Sequence, residues 1–589
     1  MAIAAAAVFA NSLNNGFALD DLPLVRDNPA IRSLESLPLH WTEPYWGAGD
    51  ASAGLYRPLT LSSFTLNRAI FGPAATGYHA VNVALHVAVS LLVWCTARAI
   101  SGRPGGATLA ALLFALHPLH SEAVANIAGR AELLGALWVL SAWACHRRSS
   151  DAAGRAAHGW SAAALGCFAL ALASKENTVL APLLFLLGDL QARRAADRAG
   201  RYVGYGAVLA AMLALRFAVL GGLKGAGDAM FIDNPAAFSG AAVRVATAGW
   251  VQLRYLTLLV WPHPLSSDYS FDAIPRVLST VDPRLWAGLL ALATPLAATA
   301  LGWRRSRALA LGASIWLLFM LPGSNLLFPA GTLMAERLAY LPSAGACLIA
   351  GHLAARLLAH SGRPRVAAIA GFVFLAVSLA WTTVARNPDW RNNATLALAD
   401  VRSYPRSAKL QAGAGIALHA RGDLEAAARA YRRALEIYPD YAQIHYNLGE
   451  LLSLGDDLRD PIEHLERATQ LAPDNPRPYK RLAELLELVG RPDDALHAYE
   501  TGARLDPADL PLRFNQGRLL LAQGRREEAL VVLHRLSSDA PRSLPGRLAT
   551  ALAARADGDE SEAQAIYREL LGERLPPEIR ARVERLAGD

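Results

Sequence analysis

Pro405, Pro439, Pro473, Pro507 and Pro541 stand 34 residues apart, and a strict period of that length restricts the tail of this chain to a stack of similar two-helix units. Gly422, Asp456, Gly490, Gly524 and Gly558 keep the same lattice at the turn inside each unit. Small residues keep it at Gly415, Gly449, Ala483, Gly517 and Ala551, and again at Ala427, Ala495, Ala529 and Ala563, with Pro461 as the exception. Tyr431, Leu465, Tyr499, Leu533 and Tyr567 follow in phase. Small positions let two helices approach, glycine turns the chain between them, and proline opens the next unit.

That lattice is the tetratricopeptide pattern, expected over 406–575 with a C-terminal cap at 576–589. Stacked units build a superhelix with an extended concave binding face. Asn447 and Asn515 share one phase on the first helix of their units, where amides can clamp the backbone of an acceptor peptide. Solvated surface asparagine is the plainer alternative.

Upstream of the repeats the composition changes. With 53% hydrophobic residues over 589 positions and a mean hydropathy of +0.23, the chain is too apolar to be wholly soluble. Apolar segments occur near 2–10, 78–97, 105–119, 131–146, 159–173, 177–190, 202–221, 284–302, 308–322, 338–358 and 365–385, so 1–385 is expected to be one multi-span membrane domain of about eleven helices. Its first helix is short and is expected to be truncated. A long loop covers 11–77, and a breaker-rich linker, 386–405, leads to the repeats. The segment 243–262 is apolar but carries Arg244, Gln252 and Arg254, which suits an interfacial or re-entrant helix. Leu321–Pro329 contains Pro and Gly that free backbone groups, so it must lie buried in protein or line a wet cavity.

The formal charge of +7 and pI near 9.3 do not signal nucleic acid, because the arginines gather in alternate short loops rather than on one face. These are Arg98 and Arg103; Arg147, Arg148 and Arg155; Arg193, Arg194, Arg198 and Arg201; Arg304, Arg305 and Arg307; and Arg356, Arg363 and Arg365. The positive-inside rule puts them in the cytoplasm and the other loops outside. An odd span count then places the tail outside as well. Cys95, Cys145, Cys167 and Cys347 fall in apolar segments and read as packing residues. Only four lysines among 57 basic residues point to a GC-rich, bacterial genome.

The outer loops concentrate ionisable side chains. Asp20 and Asp21 open the first loop, which also carries Arg57. His79, Asn82 and His86 begin the second span, His117, His120 and Glu122 end the third, and Arg130 and Glu132 begin the fourth. Lys175, Glu176, Asp268, Glu336 and Arg337 occupy later outer corners. Each has a structural alternative as a cap or a bundle hydrogen bond, but ionisable groups at membrane depth face a cavity or a partner. Arginines there suit a lipid phosphate, since guanidinium offers forked donors.

Phe17–Asp21, Tyr56–Leu59, Gly77–Asn82 with His86, Leu116–Val124, Gly129–Glu132, Ser174–Glu176, Pro264–Tyr269, Ser324-Asn325, Ala335–Arg337 and Tyr340–Ser343 together resemble the transmembrane and tetratricopeptide-repeat O-mannosyltransferases and their bacterial relatives. The resemblance implies an all-α chain: a GT-C-like membrane helix bundle followed by a tetratricopeptide-repeat solenoid. It implies transfer of a sugar, mannose in the animal members, from a polyprenyl-phosphate carrier to Ser or Thr of a protein acceptor bound through the repeat groove. Asp20 and Asp21 match the family's acidic motif and are the expected catalytic carboxylates. Arg57, His79, His117, His120, Glu122, Arg130, Glu132, Lys175, Glu176, Asp268, Glu336 and Arg337 are expected to bind donor phosphate or substrate, and Asn447 and Asn515 the acceptor. No nucleotide site is needed for this chemistry, the lipid-phosphate sugar is itself the donor substrate, and whether a divalent metal is required is left open. The expected location is the bacterial inner membrane with the repeats periplasmic, or the endoplasmic reticulum lumen in a eukaryote. A non-enzymatic membrane-anchored repeat scaffold, or a transferase acting on a glycan or lipid acceptor, are the alternative readings.

Overall fold

A computed structural model describes residues 1–47, 54–193, 199–222 and 230–588. Arg194 and Arg198 of the expected cytoplasmic clusters lie outside these residues. The described chain is helical, with no strand among the described residues, and forms two compact units, Met1–Arg421 and Gly422–Asp589.

In the first unit, six helices are long and apolar enough to cross a membrane: Ala75–Ser101, Gly154–Ser174, Gly200–Leu220, Pro283–Arg305, Glu336–Leu357 and Arg363–Arg391. Pro104–Leu116 with Pro118–Val124, bent by 52°, makes a seventh if the pair is one span. The eleven segments read from the sequence all fall on helix, but several fall short of a span by themselves. Ala2–Asn14 and Arg307–Gly323 are short, Ala181–Gln191 has 11 residues, and Arg130–Asp151 carries Arg130 and Glu132 in its first turn and Arg148 in its last. Helices pack backbone to backbone where glycine permits it: a Cβ on Gly345 would lie 2.1 Å from the Gly312 carbonyl oxygen, and one on Gly351 would lie 2.4 Å from that of Gly106. Such small-residue crossings replace the hydrophobic drive that lipid does not supply.

The expected linker is not featureless. It contains the helix Asn393–Ser403, capped by Asn392 in a capping box with Thr395, and this helix and Ala408–Ala420 belong to the first unit.

In the second unit the lattice explains the packing. Tyr431, Leu465, Tyr499, Leu533 and Tyr567 are at most 1% exposed. A Cβ on Gly449 would meet the Leu465 side chain at 2.8 Å, and one on Gly517 would meet Leu533 at 2.6 Å, so the small position of each repeat receives the large one. Gly422, Gly490, Gly524 and Gly558 have φ of +80°, +74°, +76° and +92°, the left-handed turn that glycine adopts without strain. The two asparagines expected to bind the acceptor both have partners through their amide oxygens. That of Asn515 accepts from Arg582 of helix Pro577–Gly588, and that of Asn447 accepts from Gln443 Nε2 at 2.8 Å.

Candidate active site

The first loop is held from several sides. Asn15 Nδ2 donates to the Asn387 carbonyl at 2.8 Å, Gly16 N to the Arg391 carbonyl at 3.0 Å, and Leu19 N to Asn393 Oδ1 at 2.6 Å. Leu19 itself sits at φ +49°, a conformation that a branched residue adopts only where its surroundings impose it. The two aspartates then separate. Asp21 is buried and its carboxylate accepts from Ala18 N at 3.1 Å and Ala128 N at 2.7 Å. Burial pushes its pKa up to about 7 against the pull of those two amides. Asp20 is half-buried, and its carboxylate accepts no hydrogen bond among the described residues. Asp21 therefore ties the first loop to the Ala128 turn, and Asp20 carries no such tie among the described residues.

A carboxyl group whose folded pKa is raised stabilises the fold fully below its ordinary pKa and loses that contribution as pH rises through the folded value. Protection of the Ala18 and Ala128 amides in the wild type, relative to Asp21→Asn, is thus expected to be greatest near pH 4 and to decline toward pH 7, by up to about 1.4 kcal/mol per pKa unit. Hydrogen exchange across that range checks this, and a flat or rising difference would contradict it.

Asp20 lies where two cavities meet. The first, about 400 Å³, is lined by Arg57, Lys175, Arg216 and Arg337, by Glu132 and Glu176, and by an apolar wall including Leu24, Tyr45, Trp46, Phe319 and Phe328. The second, about 560 Å³, is bounded by Asp233, the 267–270 loop, Met334 and the helices Asn393–Ser403 and Ala408–Ala420. Asp20, Gly331, Thr332 and Arg337 line both. The stretch that closes between them is braced by Asn234, which donates to Asn325 Oδ1 and the Ala330 carbonyl, both at 2.7 Å. Pro322, Gly323, Phe328 and Pro329 line the first cavity, so the Pro/Gly segment has the setting its freed backbone requires.

The cations are held by carboxylates set behind or beside them. Arg57 forks onto Glu176 at 2.9 and 2.5 Å and stacks on Tyr45, 5.1 Å from the ring centre. Burial opposes both charges, but each holds the other: Glu176 is held down at about 2 and Arg57 above its usual range. Arg337 donates to Glu122 through its side chain and, at 2.8 Å, through its backbone N–H, and Glu122 is fully buried. Lys175 donates to Glu132. Burial drives the Lys175 ammonium well down, Arg57 and Arg337 add to this, and Glu176 opposes it. An anion between these three cations would reverse that repulsion.

Several expected site residues lie outside the lining of both cavities. Arg130 is fully buried and spends its donors on Asn82, Asn67, Tyr78 and Ser63. His79 Nε2 lies 3.1 Å from the Gly16 carbonyl, His117 Nε2 lies 3.1 Å from that of Leu259, and His120 Nε2 lies 2.8 Å from Ser343 Oγ. These four hold helices and loops together, and none lines either cavity. Glu336 accepts from Ser266 N at 2.7 Å and Tyr269 Oη at 2.6 Å, so it anchors the loop that carries Asp268. Asp268 does line the second cavity. Among the described residues, no group of three or more His, Cys, Asp or Glu is placed to hold a metal ion.

The sequence reading missed Arg216, Asn393 and Asp400. Arg216, which follows an apolar run in the helix that has Arg201 in its first turn, carried a signal that could have found it. Asp400 accepts from Ser267 N and Oγ at 2.7 and 2.6 Å and from Arg386 at 2.6 Å, so it fixes the 267–270 loop to helix Asn393–Ser403. Asn393 positions Leu19 and hence Asp20. Asn393→Ala is expected to lower kcat by about tenfold with little change in donor KM, as small misplacements of a reacting group do. Asn393→Asp, which keeps the acceptor oxygen, should restore most of it, and equal losses in both variants would contradict the positioning role.

Three family models match: that of protein O-mannosyl-transferase TMTC, DUF1736, over residues 230–296, and two tetratricopeptide models over 415–454 and 488–554. The first covers Asp233 and the 267–270 loop of the second cavity. The chain is 28% identical over 443 residues to a Caenorhabditis elegans protein O-mannosyl-transferase, covering 73% of this chain and 61% of that protein. It is 28% identical over 480 residues to human protein O-mannosyl-transferase TMTC4, covering 72% and 64%. With Drosophila melanogaster protein O-mannosyl-transferase Tmtc3 it shares 29% over 509 residues, covering 74% and 54%. The chain thus spans about three fifths of the length of the curated relatives it matches. Among solved structures, that of MamA matches with a TM-score of 0.26 and 19% identity, covering 29% of this chain and 98% of MamA.

Proposed function

From a chain that is TMTC-like over most of its length, we propose a multi-pass membrane glycosyltransferase that moves a sugar, mannose first among the candidates, from a polyprenyl-phosphate carrier to Ser or Thr hydroxyls of protein acceptors. The observation that carries the reading is that one unengaged carboxylate, Asp20, and one buried-backed cation, Arg337, line both cavities. The first cavity combines apolar walls with four cations, which suits a lipid-borne phosphate sugar. The second admits the acceptor.

In the proposed step the acceptor oxygen attacks the anomeric carbon, and a C–O bond forms as the bond from that carbon to the phosphate oxygen breaks. The hydroxyl proton passes to Asp20. The phosphate leaves with one more negative charge, which Arg337, Arg57 and Lys175 neutralise in place. Glu122, Glu176 and Glu132 keep those cations oriented before the donor arrives.

The residues of this site lie in turns at the helix ends opposite the arginine-rich loops. The positive-inside bias therefore supports a site, and repeats, on the outer face of the membrane, periplasmic in a bacterium. The repeats of the second unit supply further contacts for the protein acceptor. Incubating the purified chain with defined polyprenyl-phosphate sugars and Ser/Thr peptides, and reading peptide mass, tests the proposal. The expected product is a peptide heavier by one hexose. Binding of the lipid donor with no transfer to peptide, but transfer to a glycan or lipid hydroxyl, would overturn the acceptor assignment.

A further inference from the structure

We infer that the second cavity recognises, beside the reacting hydroxyl, a large apolar side chain of the acceptor polypeptide, seated against helix Ala408–Ala420. The inference rests on the transferase reading above and adds a substrate preference to it. The cavity lining is of two kinds. Asp20, Arg337, Asp233, Asp268 and Lys409 are charged, and Lys409 Nζ lies 2.6 Å from Asp233 Oδ1 and 3.6 Å from Asp268 Oδ2. Ile416, Ala417, Ala420, Leu410, Leu396 and Met334 are apolar.

On helix Ala408–Ala420, Gly413, Ala417 and Ala420 fall at i, i+4 and i+7 and share a face, leaving a shallow trough with Ile416 beside it. Ile416 is 50% exposed and Leu19, next to the catalytic carboxylate, is 38% exposed. Bulky apolar side chains left open in the lining of a cavity that also holds the reacting carboxylate await an apolar partner. Water or a simple sugar acceptor would leave those side chains uncovered. A polypeptide carrying Leu, Ile or Phe near its Ser or Thr covers them, and the binding so gained supports the step at Asp20.

The test uses the full-length protein and a scanned peptide set in which a single Leu replaces Gln at each position around one Thr. Transfer and direct peptide binding are both measured. At one or two positions Leu is expected to raise kcat/KM by roughly tenfold to a hundredfold, the range a hydrophobic pocket provides, mostly through KM. Ile416→Glu and Ala420→Trp, both at exposed positions, should bring the Leu:Gln ratio close to one. A wild-type ratio near one at every position, or a preference that survives both variants, would overturn the inference. Peptide binding that follows the Leu with no sugar transferred to any peptide would instead sink the transferase reading and leave the cavity's preference standing.

Discussion

Asp20→Asn is expected to reduce transfer by roughly a hundredfold or more, the scale on which a positioned general base contributes, while donor binding and thermal stability stay near wild type. Among the described residues the Asp20 side chain makes no hydrogen bond that an amide would forfeit, and Asn has its size. The neighbouring substitution behaves differently. Asp21 accepts from two backbone amides with its two oxygens, and Asn offers one oxygen for the pair and turns an NH2 donor toward the other amide. Ala128 N keeps Asn126 Oδ1 as a second acceptor at 3.1 Å, whereas an Ala18 N–H left unpaired costs about 1–3 kcal/mol. Asp21→Asn should therefore lower stability and loosen the first loop, with an activity loss that follows the loop rather than the chemistry. Kinetics and melting curves of the two variants decide this. Full activity in Asp20→Asn, or an Asp21→Asn enzyme that is stable but dead, would reverse the assignment.

Where the chain is cut should matter as much. A chain ending at Arg421 keeps the whole first unit and is expected to glycosylate a short peptide within about threefold of wild type, because uniform binding far from the reacting centre is lost without touching the step itself. A chain ending at Asn392 loses Asn393, which holds Leu19, and Asp400, which holds Ser267 and Arg386. It also loses one wall of the second cavity. Removing one partner of a buried pair typically costs 3–5 kcal/mol, and Arg386 is 8% exposed. This shorter chain should have no measurable transfer and should unfold more readily. Peptide turnover by the two truncated proteins is the measurement. Equal activity in both would show that the helices after Asn392 are dispensable to the catalytic unit.

The parts of this account that the sequence made visible are those with a repeated or one-sided pattern. The 34-residue lattice names the buried tyrosines and leucines of the second unit, and the outer-loop charges include Asp20, Arg57, Lys175, Glu176 and Arg337 of the first cavity. Arg130, His79, His117 and His120 looked equivalent to them because a polar side chain in an apolar context has two solutions, a cavity or a backbone carbonyl. Only the fold distinguishes the two. Asn393 and Asp400 gave no signal for another reason. One period before Ala427 stands Asn393, and one period before Tyr431 stands Ala397, so the repeat lattice has faded by helix Asn393–Ser403, which belongs to the first unit. Asp20 and Asp21 are adjacent in sequence and separate only in their surroundings, one open to two cavities and the other locked between amides.

The central claim is a direct displacement at one carboxylate shared by two cavities. Two steps through an enzyme-bound sugar would need a second carboxylate acting as nucleophile and would keep the donor's configuration, whereas a single attack inverts it. The most direct measurement is the anomeric configuration of the glycopeptide formed from a donor of defined anomer, read by NMR coupling before any further reaction. Inversion relative to the donor is the expected result, and retention of the donor's configuration would rule out a single displacement.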